Sequence, residues 1–186
     1  RGEGRRFRPT SLPLMPPSLA RLTSLSLASF GLVGGLLLWW WGAREIAVPE
    51  GASSMAVRLG LAAAALLPAA ALLLAMTAAS FTARFATATF DPLAGRDSRF
   101  LVLNQRVITN SLEQLAVFAP ALLAWAAGGG AGAMPGVLAA GFVFGLARAA
   151  FWLGYLINPF GRAPGMAATI ALNVLALAMA ARAWWG

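Results

Sequence analysis

Five apolar runs of about twenty residues, each long enough to cross a hydrocarbon layer of about 30 Å, constrain this chain more than anything else in it. No water is available inside such a layer to pair backbone N–H and C=O groups, so each run must fold as a helix. The runs read as Ser24 to Ala43, Ala56 to Ser80, Leu103 to Ala127, Met134 to Ile157 and Met166 to Trp184. Composition agrees: 60% of the 186 residues are hydrophobic, and mean hydropathy is +0.75. A soluble domain of this size has no use for so much apolar surface. The expected fold is all-α, a polytopic membrane helical bundle.

The segments between the runs carry the punctuation. Residues 1–23 hold five Arg and four Pro ahead of the first apolar run, and read as an irregular basic tail. Trp39, Trp40 and Trp41 close the first span as an interfacial belt, and the Trp pair near the C-terminus reads as a second anchor. Pro68 is expected to bend the second span. Asp91-Pro92 and Gly95 mark a turn in the polar connection that follows, and Gly128 to Ala133 make a tight uncharged one. Gly141 and Gly145, four apart, read as a helix-packing pair.

Loop charge gives an orientation. Nine arginines (Arg1, Arg5, Arg6, Arg8, Arg21, Arg84, Arg96, Arg99 and Arg162) fall on one side, against Arg44, Arg58 and Arg182 on the other. The positive-inside rule then predicts a cytoplasmic N-terminus and an external C-terminus. The net charge of +8 reads as topological rather than as a nucleic-acid surface. Cys and His are both absent, which excludes disulfides, thiolate or imidazole metal sites, and imidazole-held haem or chlorophyll. Any thiol chemistry must use a thiol that the substrate brings.

Polar side chains inside spans are costly and mark sites. Arg106, Asn110 and Glu113 follow i, i+4, i+7 spacing and share one helix face. Arg148, Trp152 and Tyr155 form a similar stripe on the next span. Glu113 and Arg148 each lie ten residues, about 15 Å, from the expected cytoplasmic end of their spans. They are expected to meet and pair near mid-membrane, with Arg106, Asn110 and Tyr155 nearer the mouth of a cytoplasm-facing cleft.

On these residues the chain resembles the MAPEG family, the membrane-associated proteins of eicosanoid and glutathione metabolism. The matching pattern is R-x-x-x-N-x-x-E (Arg106, Asn110, Glu113), then Arg148, Gly154-Tyr155 and a loop Arg, Arg162. The DPLAG before it and the RAPG after it look like bacterial members. The resemblance covers about residues 56–186 and implies a four-helix membrane domain there, with residues 24–43 as an added transmembrane helix. It further implies a homotrimer that holds glutathione, with Arg106, Asn110, Glu113, Arg148 and Tyr155 at the tripeptide and Arg162 near its thiol. A guanidinium there would favour the thiolate that attacks lipophilic electrophiles or peroxides. Phe151 departs from the pattern: active eukaryotic members commonly carry a Tyr four residues before Tyr155.

Two other readings stand beside this one. The polar residues also suit a structural network that fixes helix register. In a different class, the chain would be a non-catalytic accessory subunit of a larger respiratory or photosynthetic membrane complex, with the added span facing a partner. A transporter fits less well, since no inverted repeat is evident.

Overall fold

The computed structural model describes residues 16–91, 93 and 95–186. It contains α1 (Pro17–Glu45), α2 (Met55–Ala65), α3 (Leu67–Thr87), α4 (Arg99–Gly128), a short 3₁₀ turn (Ala131–Ala133), α5 (Met134–Ile157) and α6 (Arg162–Trp185). With α2 and α3 taken as one interrupted span, five helices among the described residues are long and apolar enough to cross a membrane. The chain is an integral membrane protein built as an all-α bundle.

Helix α1 begins at Pro17, earlier than the irregular tail expected to run to residue 23; residues 1–15 of that tail lie outside the described residues. Pro17 occupies the first helical position, where its missing N–H needs no partner and its fixed φ suits the helix. The second span breaks at Leu66, two residues before Pro68. Pro68 has no N–H for the Ala64 carbonyl and its ring crowds that carbonyl, which opens the turn; there the Leu66 N–H bonds the Ala63 carbonyl at 3.1 Å. α4 opens at Ser98, whose hydroxyl accepts the Leu101 N–H at 3.3 Å. Before it, Arg84 at the end of α3 forms a two-pronged ion pair with Asp97, 2.8 Å on each arm, which closes the 88–98 connection.

α5 is the central helix, packed against α1, α2, α3, α4 and α6. Lipid tails are as apolar as leucine, so helices gain little from hydrophobicity alone and associate through close packing and polar contacts. Both are present. Gly141 and Gly145 lie against Ala65 and Pro68, at the break in the second span, where a Cβ would collide. Phe118 of α4 stacks on Phe144 of α5 with centroids 4.1 Å apart and planes 9° from parallel. At the other end of the bundle Arg58 is buried, and donates to the carbonyls of Ala52, Ser53, Ala126 and Ala127 at 2.8–3.0 Å. It thereby satisfies free carbonyls at the C-terminal turn of α4 and ties them to the start of α2.

Candidate functional site

The face of α4 that packs into the bundle is a stripe of Asn104, Val107, Ser111, Phe118, Leu122 and Trp125, spaced by threes, fours and a seven. Asn104 fixes its rotation. Fully buried, it donates to the Met76 carbonyl at 2.7 Å and the Ser80 hydroxyl at 2.8 Å, and accepts the Trp152 indole N–H at 2.7 Å. One amide thus joins α3, α4 and α5. Lower on the same helix, Asn173 of α6 donates to Gln114 at 2.7 Å. Neither contact is among the site residues read from the sequence. The only signal is that Asn104 falls on the apolar stripe, where an amide must find partners.

With α4 so rotated, Arg106 and Asn110 turn toward a cleft of about 490 Å³, which Phe151, Tyr155 and Arg162 also line. The loop after α5 brings Arg162 there. Gly154 and Gly161 approach so closely that a Cβ on either would meet the other's carbonyl, which folds the start of α6 back onto α5. The Arg162 guanidinium then lies 4.8 Å from the centre of the Tyr155 ring, within cation–π range. The Asn110 side-chain oxygen is buried and has no hydrogen-bond partner among the described residues. Four of the six candidate residues (Arg106, Asn110, Tyr155 and Arg162) therefore meet in one cavity.

Glu113 and Arg148 do not join them, and they do not pair with each other. Arg148 lies behind the cleft, 2% exposed. It donates to the Ser111 hydroxyl at 2.7 Å and more weakly to Thr169 at 3.5 Å, and lies 4.1 Å over the Phe151 ring. Both hydroxyls pass their own protons to helix carbonyls, Ser111 to Val107 and Thr169 to Gly165 and Met166. Among the described residues the one salt bridge is Arg84–Asp97, so hydroxyl oxygens and an aromatic face, not a carboxylate, accommodate the Arg148 charge. Glu113 is exposed on the outer side of α4. There it lines a second groove, of about 470 Å³, with Asp97, Gln105, Thr109 and the same Arg106 and Asn110. Its carboxylate is 3.5 Å from the Asn110 amide nitrogen.

The expected pair fails on azimuth, not depth. Counting residues from the span ends correctly sets Arg148 level with the middle of α4, where it meets Ser111. Glu113, two residues further on, points about 160° away around the helix. Arg106 and Asn110 form the ridge between cleft and groove, so the polar face is split into two compartments with a shared wall.

A sequence model described as the MAPEG family matches residues 61–182, from within α2 almost to the end of α6. No curated protein and no solved structure matches the chain.

Proposed function

The chain belongs to the MAPEG family, and from that premise we propose that its cleft binds glutathione and delivers the thiol to lipophilic electrophiles or peroxides. The observation that carries this reading is the convergence of Arg106, Asn110, Tyr155 and Arg162 on one cavity, from three helices, α4, α5 and α6. Guanidinium forks suit the two carboxylates of the tripeptide. Asn110, on the cleft wall, brings an amide to the polar groups of the tripeptide, whereas Glu113 faces the neighbouring groove and not this cavity.

The chemistry asked of the chain is modest. A guanidinium beside the thiol lowers its pKa, and the proton leaves to water. The thiolate then forms a bond to an electrophilic carbon while the electron pair of the broken bond departs with the leaving oxygen. With a peroxide, sulfur bonds to the terminal oxygen as the O–O bond breaks, the alkoxide leaves and takes a proton from water to become the alcohol, and a second glutathione resolves the sulfenic acid to disulfide and water. Arg162, at the mouth and over Tyr155, is the residue assigned to the thiolate; Arg106 is assigned to a carboxylate.

The exposed groove supports a homotrimer built around α4. Glu113 lies about 21 Å along α4 from Arg99 at the helical rise, deep within the span. A carboxylate facing lipid there would cost at least ~2.5 kcal/mol on the mildest scale, so a neighbouring protein surface is required. A second copy of the chain supplies one, with Arg106 and Asn110 within reach of both. The arginine surplus supports a cytoplasmic N-terminus and a cleft opening toward the cell interior of a bacterial inner membrane. Membrane lipids surround the remaining faces.

One observation favours a second reading, a non-catalytic subunit of a larger membrane complex. Phe151 brings no hydroxyl to the cleft, and its ring is already engaged by Arg148. Equilibrium dialysis of the nanodisc-embedded protein against glutathione separates the two. The enzyme reading expects binding in the millimolar range or tighter, weakened at least about tenfold by Arg106→Ala or Arg162→Ala, since each removes a charge-assisted contact. No binding at ten millimolar (on the order of the weakest useful affinity) would leave the subunit reading standing.

A further inference from the structure

Helix α1 lies outside residues 61–182, yet it forms part of the cleft. Ser24 and Ala28, one turn apart, line the same cavity as Arg106 and Arg162. The helix is held there rigidly. Gly31 sits against the Pro164 backbone and Gly35 against Ala168, with no room for a Cβ at either, so α1 runs alongside α6 at the closest approach two helices can make. Further up, Gly42 packs on Ala139 and the Trp39 indole donates to the Gly136 carbonyl at 3.0 Å, which fixes α1 on α5 as well. On this wall the side chains are small. Larger ones at Ser24 and Ala28 would fill the cavity from the α1 side.

We propose that α1 is a wall of the ligand site, closing the cleft against lipid so that it becomes a water-filled, anion-selecting compartment whose width Ser24 and Ala28 set. Without that wall, Arg106 and Arg162 would open sideways onto hydrocarbon, where a guanidinium is costly. Two guanidiniums and, among the described lining residues, no carboxylate give the cavity a positive potential; Glu113 and Asp97 lie in the neighbouring groove. The ligand class is therefore an anion that enters from the aqueous end.

The absence of cysteine makes the test direct. Single variants Ala28→Cys and Ser29→Cys place a thiol at neighbouring positions of equal depth, about 16–18 Å along α1 from Pro17. The first faces the cleft; the second is exposed on another face of the helix. Charged methanethiosulfonates react only with a hydrated thiolate, which forms the new S–S bond and expels methanesulfinate. In nanodiscs, the anionic reagent is expected to label Ala28→Cys at least about tenfold faster than Ser29→Cys, because thiolate formation needs water. It is also expected to outpace a cationic reagent at Ala28→Cys, and to lose that advantage when Arg106→Gln is added. Adding Gly31→Leu, which forces α1 off α6, should abolish the contrast between the two positions. Equal rates at both positions, or a preference for the cationic reagent at Ala28→Cys, would overturn the proposal. The labelling reads the cleft itself and does not need glutathione. Protection by S-methylglutathione, added as a separate arm, tests the glutathione reading; labelling without protection leaves the α1 wall in place and removes glutathione as its occupant.

Discussion

Asn104 is the residue on which the aim of the cleft depends, and replacing it with leucine tests this quantitatively. The substitution keeps the branched side-chain shape and removes three hydrogen bonds of 2.7, 2.8 and 2.7 Å at a fully buried position. Side-chain hydrogen bonds between membrane helices contribute about 0.6 kcal/mol each on average and up to about 1.7, so the three together contribute about 2–5 kcal/mol. The Met76 carbonyl and the Ser80 hydroxyl find helix-backbone alternatives more easily than the Trp152 indole N–H does, so the cost should concentrate on that donor. A double-mutant cycle with Trp152→Phe isolates it. Reversible unfolding in mixed micelles, followed by helical circular dichroism, is expected to give a coupling energy of about 0.6–1.7 kcal/mol. Loss of the α4 clamp should also lower glutathione affinity in Asn104→Leu, because Arg106 lies two residues away on the same helix. A coupling energy indistinguishable from zero, with unchanged ligand affinity, would refute the claim that Asn104 sets the rotation of α4.

Three further outcomes are expected. Arg58→Leu strips four carbonyls of their donor and should destabilise the fold by about 3 kcal/mol or more in the same unfolding assay, since each buried acceptor left without a donor costs about 1–3 kcal/mol; Arg58→Lys should recover only part, because an ammonium cannot span the guanidinium's fork. Gly154→Ala should displace the Gly161 carbonyl and swing Arg162 off Tyr155, lowering glutathione affinity and turnover more than stability; unaltered affinity would disconnect Arg162 from the cleft. Phe151→Tyr adds a hydroxyl at the cleft wall and should tighten glutathione about tenfold, equivalent to one good hydrogen bond of about 1.4 kcal/mol, measured by equilibrium dialysis.

Much of the site is legible in one dimension because helical spacing is a rigid rule. Arg106 and Asn110 stand on a shared face, and Gly154, Tyr155 and Arg162 follow at the intervals that put them beside it. The same rule explains the Gly141 and Gly145 contacts and the break at Pro68. It failed for Glu113 and Arg148, where depth was right and direction was not. Kinship survives that failure because it rests on the match across residues 61–182 and not on the pair. Asn104 and Asn173 escaped notice since a single amide on an apolar stripe looks the same in sequence whether it meets three partners or none. Arg58 likewise counted only as a charge near a span end, although its four carbonyl partners come from segments up to 69 residues away.

The amino-acid sequence alone determined the number of spans, their helical nature and the levels at which polar groups sit. A bilayer permits few backbone structures, and the helical rise converts residue counts into depth. Rotation of each helix about its own axis, and hence which polar groups share a compartment, was decided only by tertiary packing. Glycine contacts a few ångströms wide and the three bonds of one buried amide set those angles. They join residues distant in the chain, so no local pattern encodes them.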